Sequence, residues 1–162
     1  MRQNSLNKIW WLLVMALGVG GPVFGQSSEP VAQVEPSAKP IEIEVYRSAT
    51  CGCCGKWMAH LVDNQFKVNE HVVDDLQELK KRYGVPSELA SCHTAIVNGY
   101  VVEGHVPAQD IFKLLKTKPK VAGITVPGMP VGTPGMEMGD QKDSYQVMSF
   151  DNKNPPQVFS QY

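Results

Sequence analysis

The sequence predicts a single α/β domain of βαβαββα order, ending in a Pro/Gly-rich loop extension. Three observations carry that prediction. Apolar residues alternate from Ile41, they recur at helical spacing after Cys53, Asp75 and Pro107, and Asn98-Gly99 stands between two short apolar runs. A chain of 162 residues is about one domain long, and 43% hydrophobic residues suffice for a core.

The first element is a strand, in which Ile41, Ile43 and Val45 alternate with Glu42, Glu44 and Tyr46. Arg47 to Gly52 follows as a loop. From Cys53 to about Phe66, Trp57, Leu61 and Val62 recur at helical spacing with His60 on the same side, so Cys53 and Cys54 sit at a helix N-terminus. Val68 to Val73 reads as the second strand. Asp74-Asp75 then opens a helix through Leu76, Leu79 and Tyr83 that Gly84 stops. Thr94 to Val97 and Tyr100 to Val102 form a hairpin about Asn98-Gly99, and Pro107 starts a helix through Ile111, Leu114 and Leu115. Two parallel strands, a hairpin and flanking helices in this order make a thioredoxin-like layer fold. From Pro119 onward the chain reads as loop, with one last strand at Tyr145 to Phe150.

Ahead of the domain, Arg2 and Lys8 precede an apolar run from Ile9 to Gly21, and Val23-Phe24-Gly25 suits a signal peptidase. Residues 1–25 are therefore expected to be a secretory signal peptide. An apolar run of about 13 residues falls short of the roughly 20 that span a bilayer, and no Cys follows it to carry a lipid anchor. Residues 26–40, rich in Pro, Ser, Ala and Glu, read as a flexible linker. The domain is expected over 41–150, with 151–162 a tail and the periplasm as location. With 15 Lys and Arg against 16 Asp and Glu, the charge offers no basic field for nucleic acid.

The chemistry lies in Cys51-Gly-Cys53-Cys54, joined some forty residues later by Cys92. In an exported protein four cysteines ordinarily mean two disulfides. Here a Cys53–Cys54 bridge is vicinal and strained, and Cys51–Cys53 closes a very small ring, which leaves Cys92 as the expected partner of one easy bridge. Three thiols within four residues fit a shared soft cation better. Zinc is the competitor, but its structural sites use Cys-x-x-Cys knuckles, whereas copper(I) accepts two or three sulfurs and multinuclear clusters. A helix N-terminus further favours the thiolate that metal binding and redox chemistry both need.

Cys-Gly-Cys-Cys-Gly-Lys-Trp with His60 downstream, Ser-Cys-His-Thr-Ala, Glu-Gly-His-Val-Pro, and Val-Pro-Gly-Met-Pro with Pro-Gly-Met-Glu resemble the CopG-type family of periplasmic copper-resistance proteins over about 41–150. The resemblance implies a thioredoxin-like domain in which Cys51, Cys53, Cys54 and Cys92 hold copper(I), singly or as a small cluster, with copper redox chemistry within reach. Copper ions are then the partners, with periplasmic copper carriers or exporters beside them. Ser91-Cys92-His93 stands where the fold usually places a cis-proline facing the active-site cysteines, which turns a substrate-binding element into a ligand donor.

Further ligands or flanking groups are weighed one by one. His105, in the loop after the hairpin, is either a ligand near the metal or an exposed loop histidine. His60 lies about two turns, or ~10 Å, beyond Cys53 and suits a packing or supporting role. His93 lines the site only if it escapes the alternation that points neighbours apart in a strand. Met129, Met136 and Met138 can offer thioethers to copper(I) or tuck their loop onto the core. His71 is assigned no part, and Trp57 is expected in the core. Two other function classes stay open beside copper handling: a thiol–disulfide oxidoreductase, and a zinc-binding or disulfide-stapled interaction module. As an enzyme the chain would be a copper oxidoreductase, and otherwise it is a metal-binding protein.

Overall fold

The computed structural model describes residues 39–162. The expected signal peptide, and all but the last two residues of the expected linker, lie outside them. Seven strands and three α-helices follow in the order β1 Ile41–Arg47, α1 Cys54–Asp63, β2 Phe66–Val72, α2 Leu76–Arg82, β3 His93–Val97, β4 Tyr100–Glu103, α3 Ala108–Thr117, β5 Gly123–Thr125, β6 Gln146–Phe150 and β7 Gln157–Gln161. A 3₁₀ turn at Ser87–Leu89 precedes β3. All strands join one mixed sheet ordered β2-β1-β3-β4-β5-β6-β7. The predicted βαβαββα succession is present from β1 to α3, with β1 parallel to β2 and β3–β4 an antiparallel hairpin. That hairpin turns on Asn98 and Gly99, both at positive φ (46° and 84°), as a tight two-residue turn requires. Asp75 caps α2 by accepting the Glu78 amide.

Alternation in the strands sorts side chains to two faces. On one, Ile43, Val45, Ala95, Val97 and Val102 pack with Trp57 and Leu61 of α1 and Ile111 and Leu114 of α3. On the other, Val101 and Phe150 pack with Val85 and Leu89, from the chain between α2 and β3.

Two expectations need correction. The helix expected to reach Phe66 ends at Asp63. Gln65 reverses the backbone at φ 66°, and Phe66 instead opens β2 and is buried in the core. Helical spacing does not reveal a reversal made by a residue other than glycine. The C-terminal extension, expected to be loop with one strand, carries three. β6 coincides with the expected strand, β5 is three buried residues, and β7 lies within the expected tail. Three residues are too few for a period, and Gln157–Gln161 shows no apolar alternation because it forms a half-exposed edge. Among the described residues no helix is long and apolar enough to cross a membrane.

Candidate metal centre

The two cysteine-bearing segments come together because β1 and β3 are antiparallel neighbours whose register pairs Arg47 with His93. The loop leaving β1 and the loop entering β3 therefore emerge at the same end of the sheet. Cys53 takes the N-cap position of α1, where its carbonyl accepts the Lys56 and Trp57 amides, and Cys54 opens the helix. Facing them, the Leu89–Cys92 segment is tied down by hydrogen bonds, among them one from the Ser91 hydroxyl to the Gly128 carbonyl. Thr125 Oγ1 donates to the Leu89 carbonyl (2.8 Å), the Gly128 amide to the Ala90 carbonyl (3.3 Å), and the Ser91 amide to Glu103 Oε1 (2.7 Å).

Glu103 belongs to a buried polar group on the α2 face of the sheet. Its carboxylate is ion-paired with Lys80 and accepts from Thr94 Oγ1 at 2.6 Å, while Lys80 also donates to Thr94 at 2.9 Å. All three residues are at most 3% exposed. Each charge has its partner, as burial demands.

All four sulfurs converge. Cys92 Sγ lies 3.6 Å from Cys53 Sγ and 3.9 Å from Cys54 Sγ, and Cys51 Sγ is 3.8 Å from Cys53 Sγ. Two sulfurs bound to one ion at about 2.3 Å stand roughly 3.8–4.0 Å apart for angles between tetrahedral and trigonal. The separations suit shared soft-metal coordination. Cys51 and Cys54 are also bridged as a disulfide, with Cα atoms 5.7 Å apart, and Cys53 and Cys92 are left as thiols. This corrects the expectation that Cys92 forms the easy bridge. Cys51-x-x-Cys54 was hidden inside the tighter Cys-x-Cys-Cys pattern, and a helix N-terminus places that spacing within bonding reach.

Imidazoles complete the cluster. His93 Nδ1 and His105 Nε2 each lie 3.1 Å from Cys92 Sγ, and both rings are fully buried, 5.0 Å apart. His105 is thus no exposed loop residue. Its Nδ1 donates to the Pro134 carbonyl at 2.8 Å. His93 escapes strand alternation because Cys92 precedes β3, and its ring lies 4.2 Å from that of Trp57. Its Nε2 has no hydrogen-bond partner among the described residues. Burial lowers the pKa of both histidines, so both are neutral near pH 7 and able to donate a lone pair. Burial, with the adjacent Cys53 thiol, pushes Cys92 up to about 12. That thiol keeps its proton until a cation displaces it.

Two donor groups can be drawn, Cys51–Cys54–Cys92–His93 and Cys53–Cys92–His105, each with ligand atoms within 4.8 Å of one another. Among the remaining expected residues, Met129 lines the open cleft that Cys51, Cys53 and Cys92 also line. Met138 is 58% exposed and Met136 is half-buried in its turn. His60 Nε2 accepts the Ala108 amide at 3.1 Å and so caps α3, a structural role. His71 stacks on Tyr46 and bonds Glu44 at the far strand. Sequence reasoning missed the Lys80–Thr94–Glu103 group. Its signal was a carboxylate closing the apolar run Tyr100-Val101-Val102.

Comparison with known proteins agrees with this picture. A family model described as "Protein of unknown function, DUF411" matches residues 89–136, which include Cys92, His93 and His105. No curated protein matches the chain. Two solved structures do, both titled copper resistance protein CopG. Form 2 is 49% identical with a TM-score of 0.73, and Form 1 is 50% identical with a TM-score of 0.72. Each alignment covers 76% of this chain and 98% of the other. At half identity over nearly the whole of those proteins, the chain belongs to the CopG family of copper resistance proteins.

Proposed function

We propose that this protein is an exported, periplasmic copper(I)-binding protein of thioredoxin-like fold that serves copper resistance and homeostasis. Cys51, Cys53, Cys54 and Cys92 hold one or several copper(I) ions when reduced. The observation that carries the reading is the convergence of four sulfurs from two loops at 3.6–3.9 Å, flanked by two neutral imidazoles. Thiolate and imidazole are the donors that soft, low-valent copper prefers, and among the described residues the two donor groups contain no carboxylate for a hard cation. Export rests on the apolar leader at 1–25, and the thioredoxin-like reading on the βαβαββα order with its parallel pair and hairpin. The titles of the two CopG structures support a role in copper resistance, and periplasmic copper carriers or exporters are the partners proposed with it.

The test is copper(I) titration of anaerobically reduced protein against a chromophoric chelator, followed by metal analysis. Wild type takes up copper(I) in preference to zinc, and the variant Cys51→Ser/Cys53→Ser/Cys54→Ser takes up none. Full copper stoichiometry in that variant would sink the reading.

A second reading is favoured by one observation. Cys51 and Cys54 form a disulfide at Cys-x-x-Cys spacing where α1 begins, which is the arrangement of a thiol–disulfide oxidoreductase. Catalysed reduction of a protein disulfide by the metal-free chain, abolished by Cys51→Ser, would place exchange chemistry ahead of copper binding.

A further inference from the structure

The Cys51–Cys54 disulfide removes two of the four sulfurs from any metal site, and what it leaves is itself a complete donor set. Cys53 Sγ, Cys92 Sγ and His105 Nε2 lie within 4.8 Å of one another, and none of them belongs to the bridge. We propose that the disulfide-bonded protein keeps a separate three-ligand site for a single copper(I) ion, made by Cys53, Cys92 and His105, so that the oxidation state of Cys51 and Cys54 sets how many ions the chain carries. This inference rests on the copper reading above and extends it to the oxidised chain.

Three features of the geometry carry it. First, His105 is pre-aimed. The Pro134 carbonyl can only accept, so the proton of the neutral ring sits on Nδ1 and the lone pair sits on Nε2, the atom that faces Cys92. A ligating histidine is held in this way by a hydrogen bond at its other nitrogen. Second, Pro134 is itself braced, because the next residue, Gly135, packs against the first turn of α1 so closely that a Cβ there would lie 2.6 Å from the Trp57 amide nitrogen. Third, the Cys53–Cys92 separation of 3.6 Å is close to that of two sulfurs on one ion, whereas the 3.1 Å from Cys92 to His105 is a hydrogen-bond distance. Two such ligands of one trigonal ion stand roughly 3.7 Å apart. The cation replaces the proton between sulfur and nitrogen, and the pair opens by about 0.6 Å.

Binding forms two copper–sulfur bonds and one copper–nitrogen bond, releases the protons of Cys53 and Cys92 to solvent, and leaves copper(I) unchanged in oxidation state. Conversion of the reduced chain to this state transfers two electrons and two protons from Cys51 and Cys54 to a small-molecule disulfide, which leaves as two thiols. Three soft or borderline donors in a half-buried pocket suit trigonal copper(I).

The experiment compares the two redox forms of one preparation. Purified protein is oxidised with oxidised glutathione and freed of it. Peptide mapping then identifies the Cys51–Cys54 bridge with Cys53 and Cys92 as thiols. Both forms are titrated anaerobically with copper(I) against a chromophoric chelator. The oxidised chain is expected to bind one ion and the reduced chain more than one, with X-ray absorption of the oxidised complex showing two sulfurs and one nitrogen. His105→Ala weakens binding to the oxidised chain at least tenfold, and His105→Met, which returns a soft donor, restores most of it. An oxidised chain that binds no copper while the reduced chain binds several overturns this inference alone. So does a Cys53–Cys92 bridge on mapping, or an unchanged affinity in His105→Ala. Absence of copper(I) binding in both forms overturns the copper reading itself, and this inference with it.

Discussion

Replacing Lys80 by Met should destabilise the protein far more than any surface lysine change, and the structure sets the size of the effect. Lys80 is 3% exposed and Glu103 fully buried, and their ion pair is closed by Thr94. Methionine is one heavy atom shorter but unbranched like lysine and so keeps most of its packing, a change that by itself costs below about 1.5 kcal/mol. What is lost is the countercharge. Glu103 retains the Thr94 hydroxyl and the Ser91 amide, but a buried carboxylate stripped of its cation costs about 3–5 kcal/mol. For a body of this size each kcal/mol shifts the melting temperature by roughly 3–5 °C, so the loss is on the order of 10–20 °C.

Scanning calorimetry and urea unfolding of the reduced, metal-free chain measure the effect, with an unchanged m-value showing that stability and not compactness has moved. Lys80→Met/Glu103→Gln serves as the control. The amide oxygen that replaces the Glu103 carboxylate still accepts from Ser91 and no charge is left buried, so the double variant should be more stable than Lys80→Met alone. A loss below about 1 kcal/mol in Lys80→Met, or a double variant no better than the single, would refute the claim that a charged pair anchors the segment before Cys92.

Two further outcomes follow from the geometry around the cluster. Burial lowers the pKa values of His60, His93 and His105, so as pH falls the unfolded chain takes up protons first. Their contribution is complete above the unfolded value of about 6.5 and is lost as pH falls through it toward the folded values. Urea midpoints of the metal-free chain should fall from pH 7.5 to pH 5, and His60→Gln, which keeps an acceptor for the Ala108 amide, should flatten that dependence. A midpoint independent of pH would contradict it. Gly135→Ala combines a positive φ of 85° with a collision against the Trp57 backbone and should cost about 1–3 kcal/mol. Gly139→Ala, at φ 60° in open space, should cost only about 1 kcal/mol. Equal urea midpoints would show that the loop does not press on α1.

Much of this was legible before any coordinates. The alternation at Ile41–Val45, the Asn98-Gly99 turn and the Asp75 cap are local signals, and each element they predict is present. The grouping of Cys92 with the triplet came from topology and resemblance, and the sulfur distances accord with it. Features that depend on pairings between distant segments were out of reach. Nothing near His60 in sequence says that it caps a helix 48 residues away, and nothing near Lys80 says that its ammonium meets a carboxylate on β4. Cys51–Cys54 was a different kind of miss. The Cys51-x-x-Cys54 spacing is present in the sequence, but it overlaps the tighter Cys51–Cys53 and Cys53–Cys54 pairs, and ring strain excludes only those two.

The position of the cluster follows from strand register more than from any motif. Arg47 pairs with His93, and Thr94 with Glu103, so β1 ends, β3 begins and β4 ends at the same end of the sheet. Cys51–Cys54, Cys92 and His105 are carried on the three loops that leave or enter the sheet there. Because side chains alternate along β3, His93 faces α1 and Trp57, while Thr94 faces Lys80 on the opposite side. The same register that gathers the donors also places the ion pair behind them. A slip of one residue in β3 would exchange these two faces, placing a histidine against the Lys80 ammonium and a threonine against Trp57. The buried polar group on one face and the imidazole on the other each penalise that slip. The register that assembles the four sulfurs is thus the one arrangement in which both sides of the sheet are satisfied.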